Sequence, residues 1–180
     1  MRVAGHRCLS AFRYFNFLKS DRSGKRGTTG ENLEWLNNIS SFKVSSGIVL
    51  QASSGDADYV LMLKRYDGAL TLPKGGFETD ETLRSAAIRE FEQETGVSAS
   101  PSWVPEPLGW YPNFISEPDG RTQIKYIFYF RVRITVDALP QPNPGAEHKG
   151  AIWIDLRDAQ THRFSYRHIC NVIQQLENEL

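Results

Sequence analysis

In the stretch LPKGGFETDETLRSAAIREFEQETGV, residues 72–97, a glycine pair, Gly75 and Gly76, precedes Glu78 and Glu81 and then a run holding Arg89, Glu90, Gln93 and Glu94. On a helix Glu90 and Glu94 share one face, a single turn apart. An isolated pair of this kind would be an ordinary solvated helix face. Beside a glycine turn the pair suits another task. Magnesium prefers carboxylate oxygens and water and usually shares its coordination shell with substrate phosphates. Glycine, having no Cβ, lets the backbone come close to both the helix and an anion. The chemistry such a set supports is a cation-bridged reaction at phosphate oxygens.

The elements that must position these residues can be read from the same stretch and its flanks. Leu83, Ala87, Ile88 and Phe91 form an apolar stripe at about 100° per residue, with Glu90 and Glu94 at its edge and Gln93 beside them. Thr79 or Asp80 is the expected N-cap and Gly96 the expected C-terminal stop. Upstream, FKVSSGIVLQ (residues 42–51) and DYVLMLKRY (58–66) predict neighbouring strands separated by the turn-forming ASSGDA. Downstream, Ile124, Tyr126, Phe128, Phe130, Val132, Ile134 and Val136 alternate with Gln123, Lys125, Ile127, Tyr129, Arg131, Arg133 and Thr135, which predicts a strand with one core face and one partly basic face. A proline-rich connection leads to the short strand AIWIDL, and a last helix carries Ile169, Val172, Ile173, Leu176 and Leu180 on one stripe. The fold class expected is α/β in the α+β sense, a mixed β-sheet sandwiched between helices.

Written out, Gly75, five residues, Glu81, seven residues, Arg89, Glu90, Phe91, Glu92, Gln93, Glu94, Thr95, Gly96, Val97 resembles the box of the Nudix hydrolase family, G-x5-E-x7-R-E-U-x-E-E-x-G-U, where U is a bulky aliphatic or similar residue. The resemblance implies a loop-helix-loop catalytic box, Mg2+ or Mn2+ as cofactor, and hydrolysis of a diphosphate linkage attached to some other moiety. By the same resemblance Glu90 and Glu94 are metal ligands, assisted by a main-chain carbonyl near Lys74 and Gly75. Glu81 and Arg89, with Glu78 alongside, brace the loop and orient Glu90. Gln93 departs from the box, which has glutamate there as a further metal-site acid. An amide keeps the shape but carries no negative charge and cannot act as a base. The expectation is weaker divalent binding and a hydrolase of low activity, or one inactivated at this position. Glu147, six residues before Trp153, resembles an outer carboxylate that the family often carries just before its penultimate strand. It is a catalytic base or distal metal ligand on that reading, and a solvated loop acid otherwise.

The opening of the box, PKGGFETDE, resembles the form found in fungal and plant diphosphoinositol polyphosphate and diadenosine polyphosphate hydrolases. Such substrates require cations at close quarters. Lys74 lies inside the match, while Lys64 and Arg65 end the strand feeding the loop and Lys43 begins its neighbour. With Gly75 and Gly76 these are the expected substrate-binding residues. Arg121, Lys125, Arg131, Arg133, His148 and Lys149 form a second tier of cations. Trp110, Tyr111 and Phe114 could offer a platform for a base, or pack as core or loop. The leading expectation is removal of the β-phosphate from diphosphoinositol polyphosphates (inositol pyrophosphates), with diadenosine polyphosphates as a second class. A nucleotide or cap pyrophosphatase and a non-catalytic binder of highly phosphorylated ligands are the alternatives.

At 180 residues, 40% hydrophobic and with no net charge, the chain has apolar material for one ordinary core. Its charge is uneven, since residues 1–30 hold seven Lys or Arg against one acid. Residues 1–35 are therefore expected to be a basic, flexible segment and 36–180 the domain. That segment lacks the apolar run of a secretory signal and is compatible with an arginine-rich transit peptide, with a cytoplasmic location as the simpler expectation. Cys8 and Cys170 are too far apart in sequence to suggest a disulfide framework or a thiolate metal cluster. No apolar run approaches the roughly 20 residues that span a bilayer. A small polyphosphorylated molecule is thus a better-supported partner than a membrane or a nucleic acid.

Overall fold

The computed structural model describes residues 39–179. The basic segment, the boundary placed at residue 36, and Leu180 lie outside them. Strand β1 (Ile39–Ser54) is the spine of a seven-stranded mixed sheet. It runs antiparallel to β2 (Ala57–Lys64), with Gln51 opposite Val60, and parallel to β6 (Thr122–Thr135), with Lys43 opposite Lys125. Strand β5 (Glu106–Ser116) pairs antiparallel with β6, β7 (Gly150–Asp155) with β2, and the short β3 (Leu70–Thr71) and β4 (Lys74–Gly75) with β2 and β1.

Ile48, Val49 and Leu50 are all fully buried, as are Val60, Leu61 and Met62. Successive strand side chains point to opposite faces, so an unbroken apolar run requires cover on both. Both covers are present. Ile48, Leu50, Leu61, Phe130 and Val132 pack under helix α1 (Leu83–Thr95) through Ala87 and Phe91. Val49, Val60, Met62, Ile127 and Tyr129 pack under a 3-10 helix (Leu156–Thr161) and helix α2 (Arg167–Glu177) through Leu156, Ile169, Val172, Ile173 and Leu176. The sheet is therefore sandwiched between helices, as the apolar patterns predict.

Three local expectations need correction. The N-cap of α1 is Thr82, whose hydroxyl accepts from the Ser85 amide while the Ser85 hydroxyl accepts from the Thr82 amide. Thr79 and Asp80 lie before this capping box, and Asp80 takes φ 66°, a left-handed value foreign to a cap. Second, the supposedly basic face of β6 is core at its centre, since Ile127 and Tyr129 are fully buried beneath α2. Third, β5 was not anticipated, because its prolines and glycine, in EPLGWYPNFIS, hide the alternation. It places Tyr111 in the core with its hydroxyl donating to Gln175 Oε1 at 2.8 Å, sets Trp110 edge-on to Phe128, and leaves Phe114 62% exposed. Neighbours Trp110 and Tyr111 face opposite sides of the sheet, so the three aromatics do not make one platform.

Candidate active site

The glycine turn and α1 meet because β4 pairs with β1, Ser46 opposite Gly75 and Gly47 opposite Lys74, and so fixes the loop against the first turns of the helix. Ser46 completes the junction by donating its hydroxyl to the Leu83 carbonyl at 2.6 Å. At Gly75 the close approach is literal. A Cβ there would stand 1.9 Å from the Glu90 carboxyl carbon, so the carboxylate occupies the space a side chain would need. Gly76 is different, since a Cβ would meet nothing within 4 Å and its contribution is a carbonyl that accepts from Arg89 Nη2 at 2.9 Å. Gly75→Ala is accordingly expected to displace Glu90 and weaken divalent-cation uptake at least about tenfold. Gly76→Ala should leave it nearly unchanged; calorimetric titration with manganese of both variants is the check.

Arg89 is the hub of the box. It forks onto Glu81 through Nε to Oε1 at 2.7 Å and Nη2 to Oε2 at 2.8 Å, while its Nη1 donates to Glu90 Oε1 at 2.9 Å and to Gln93 Oε1 at 3.1 Å. Glu78 lies 3.7 Å from Nε, and its amide donates to Glu81 Oε2. The Arg89 hydrogen bonds hold Glu81 at a pKa of about 2, and the same pairing raises Arg89. The fork thus ties the loop before the helix to its second turn and aims Glu90.

Glu94 sits one turn further, its side chain only 12% exposed. The Lys74 amide donates to its Oε2 at 2.6 Å. Burial pushes its carboxyl up to about 7 against the pull of the Lys74 ammonium and amide, with Glu90 and Glu147 adding repulsion. Lys74 is the counterpart, since burial brings its ammonium down to about 8 while Glu94 draws it back up.

The far wall is the loop before β7. Asn143 donates its amide to the Thr95 carbonyl at 2.8 Å, and Pro140 accepts from Trp153 Nε1. The loop can lie so close to α1 because Gly96 has φ 68° and a Cβ there would meet the Asn143 carbonyl oxygen at 2.1 Å. Gly96→Ala is expected to cost about 1–2 kcal/mol from the left-handed backbone alone, with a further loss from the collision, readable as a lower denaturation midpoint. This anchoring carries His148 Nε2 to 3.9 Å from Glu94 Oε1 and brings the exposed Glu147 within electrostatic reach of Glu94. Burial, with Lys74 nearby, lowers the His148 pKa, so the imidazole is neutral at pH 7 and not the cation first expected.

The other expected cations divide. Lys125 joins the site: burial lowers its pKa, Glu94 and Glu90 raise it, and Lys43, beside it in the β1–β6 register, lowers it. Arg65 reaches the same end of the sheet through Tyr166. Lys64 ends β2 with its carbonyl accepting from the Lys149 amide, and neither lysine side chain makes a hydrogen bond or ion pair among the described residues. Arg121 is spent on Asp119 and Arg133 on Glu179, both on the surface, and the largely buried Arg131 is also paired with Glu179. β7 is the last strand, so Glu147 precedes a final and not a penultimate strand. Sequence reasoning overlooked Tyr129, Tyr166 and His168, which lie behind Lys74 and carry no motif of their own.

Among the described residues no cluster of three or more His, Cys, Asp or Glu side chains could hold a metal unaided. Two carboxylates a helical turn apart still fit magnesium or manganese, which complete their shells with water and phosphate oxygens. Glu90 held against Gly75 and Glu94 buried beyond its comfort as an anion both gain from a cation there. The pair would not suit a structural zinc site, which needs four protein ligands.

A model of the NUDIX domain matches residues 41–171. Nudix hydrolase 16, mitochondrial, of Arabidopsis thaliana is 49% identical over 47 residues, 26% of each chain. The RNA pyrophosphohydrolase of Erythrobacter litoralis is 39% identical over 62 residues, 32% of this chain and 36% of that one. The matches thus span about a quarter to a third of the length of these curated relatives. Among solved structures, the NUDIX domain of Shewanella oneidensis NrtR complexed with ADP ribose aligns with a TM-score of 0.62 at 18% identity, covering 83% of this chain and 99% of that one. The C. elegans Ap4A hydrolase binary complex aligns at 0.57 and 18%, covering 76% and 96%. At such identities the likeness is one of fold.

Proposed function

Because the chain belongs to the NUDIX domain family, we propose that it is a divalent-cation-dependent hydrolase of phosphoric anhydrides, with Glu90 and Glu94 holding magnesium or manganese. The observation that carries this reading is the convergence on one loop of the Glu90 carboxylate against Gly75 and the Glu94 carboxylate on the Lys74 amide, with the Lys74 ammonium nearby. Held by Glu90 and Glu94, such a cation would supply neutralisation of phosphate charge and a lowered pKa for water at the site. The chain's own groups do the rest. Arg89 keeps Glu90 turned toward the loop, and Lys74, charged below its pKa of about 8, meets a phosphate oxygen. Glu94, whose carboxyl burial pushes up to about 7, would have to release its proton to hold the cation.

The substrate class that the cations favour is one rich in phosphates. Lys74 and Lys125 lie within electrostatic reach of the carboxylates, with Arg65 near Lys74 and Lys43 near Lys125, whereas the aromatics do not gather into a base platform, and this supports diphosphoinositol polyphosphates ahead of diadenosine polyphosphates. The Erythrobacter relative, an RNA pyrophosphohydrolase, favours a further reading, in which the substrate is an RNA. Incubating the protein and its Gln93→Glu variant with magnesium and each of the three substrates separates them by product. Orthophosphate from the inositol compound supports the inositol reading, nucleotide fragments from the dinucleotide support the dinucleotide reading, and pyrophosphate from RNA supports the RNA reading. Tight binding without turnover in both forms would make the chain a sensor.

A further inference from the structure

Tyr166 stands at the N-cap of α2 but its side chain makes no capping bond. It is engaged elsewhere. Its ring has the Lys74 ammonium 5.8 Å from the centroid and the Arg65 guanidinium at 5.9 Å, and its hydroxyl accepts from Arg65 Nη1 at 3.3 Å. The ring is itself fixed from behind, stacked on His168 at 5.6 Å and 14°, while His168 stacks on the fully buried Tyr129 and lies 3.4 Å from its hydroxyl. One aromatic column rooted in the core therefore sets the places of two cations drawn from different turns, the β2–β3 turn and the glycine loop. Two like charges do not gather without a device that offsets their repulsion, and an electron-rich ring flanked by both is such a device.

Arg65 also lines, with Tyr66, Asp67, Glu147 and His148, a pocket of about 360 Å³ beside Glu94. The pocket's acids are not free to repel an anion equally. Asp67 Oδ1 accepts from the Ala69 amide and lies 3.5 Å from Arg65 Nε, so this acid is paired with a cation of the pocket itself.

Resting on the anhydride-hydrolase reading above, we infer that Tyr166 is a positioning residue that holds Arg65 and Lys74 as one clamp for the phosphate next beyond the linkage that is cleaved. On an inositol compound that phosphate is one on a neighbouring ring carbon, and among inorganic anions the clamp grips tripolyphosphate better than pyrophosphate, because the second cation has a phosphate to meet only where one lies beyond the cleaved linkage.

The test is calorimetric titration of the full chain with inorganic tripolyphosphate and with pyrophosphate, both with magnesium, alongside KM and kcat on the substrate that the hydrolysis assay identifies. Tyr166→Leu is expected to weaken tripolyphosphate binding about tenfold and pyrophosphate binding less than about twofold, and to raise KM more than it lowers kcat. Tyr166→Phe, which keeps the ring and loses only the hydroxyl, should recover most of the affinity. Arg65→Gln should reproduce the selective loss and add little when combined with Tyr166→Leu. A folded Tyr166→Leu protein with unchanged discrimination between the two anions overturns the clamp. So does an equal loss for both anions that follows a lowered melting temperature. If Tyr166→Leu does not fold, Arg65→Gln decides, and unchanged discrimination there overturns the proposal. Absence of hydrolysis in every form would overturn the enzymatic reading while leaving the anion titrations to judge the clamp.

Discussion

Gln93→Glu is expected to raise kcat for hydrolysis of a diphosphate linkage by about a hundredfold or more, a change in barrier of about 2.7 kcal/mol. The expectation comes from what the position already does. Gln93 is exposed, and its amide oxygen accepts from Arg89 Nη1 at 3.1 Å, a bond that a carboxylate oxygen of the same shape keeps and strengthens. The exchange therefore adds one negative charge beside Glu90 and Glu94 without rearranging the box. That charge contributes to cation affinity and provides an acceptor for a proton, neither of which an amide supplies. Isothermal titration with manganese should show tighter uptake by the variant, and single-turnover kinetics should show that the gain lies in the chemical step. Without cation, the added acid repels Glu90 and Glu94, so the variant should melt slightly below the parent when chelator is present. Equal turnover in the two forms would mean that residue 93 takes no part in the chemistry, and tight phosphate-ligand binding with no turnover in either would leave the chain a binder.

The box was legible from sequence because its parts are local. A turn, a cap and a helical stripe lie within 26 residues, and side chains three and four apart on a helix must be neighbours. Arg89 reaching Gln93 follows from that spacing, while Glu81 forking onto Arg89 across eight residues, from a loop before the helix, is what the resemblance to the box implies. The sandwiched sheet was legible too, since unbroken runs such as Ile48 to Leu50 require cover on both faces. What could not be read depends on long-range register. Lys125 reaches the carboxylates only because β6 lies parallel to β1 and sets it opposite Lys43, and Tyr166 reaches Lys74 only because α2 folds back over the sheet. The N-cap was missed for a smaller reason: Thr79, Asp80 and Thr82 all have capping side chains, and the choice among them falls to Ser85, which alone returns the bond. The candidate cations failed where a neighbouring acid was closer than the cleft, as Asp119 is to Arg121 and Glu179 to Arg133.

Glu94→Gln is expected to invert the protein's response to cation. With chelator present, burial lifts the Glu94 carboxyl to about 7 from the 4.5 of a free glutamate, the reverse of an ordinary paired carboxylate. The folded state then holds the proton over a window in which the unfolded chain has released it, so stability contributed by this group falls as pH rises from about 4.5 to about 7 and stays low above that. The shift corresponds to about 3 kcal/mol, and with the side chain 12% exposed little of it is screened. Glutamine removes that penalty, keeps an acceptor for the Lys74 amide, and gives back part of the gain because the buried Lys74 ammonium loses its partner. The variant should therefore match the parent near pH 4 and exceed it by about 1–3 kcal/mol at pH 8 in chelator. The pull of burial on His168, whose pKa of about 4 acts below pH 6.5, is common to both forms and cancels in the difference. Saturating magnesium at pH 8 should reverse the order, since only the parent has the second carboxylate to bind it, and hydrolysis by the variant should fall at least about a thousandfold. Urea denaturation across pH 4–8, with and without cation, reads both effects. Parallel curves in chelator would show that Glu94 is not held out of water as its burial implies, and a parent whose midpoint ignores magnesium would remove Glu90 and Glu94 as the seat of a cation, because a ligand that binds only the folded state must stabilise it.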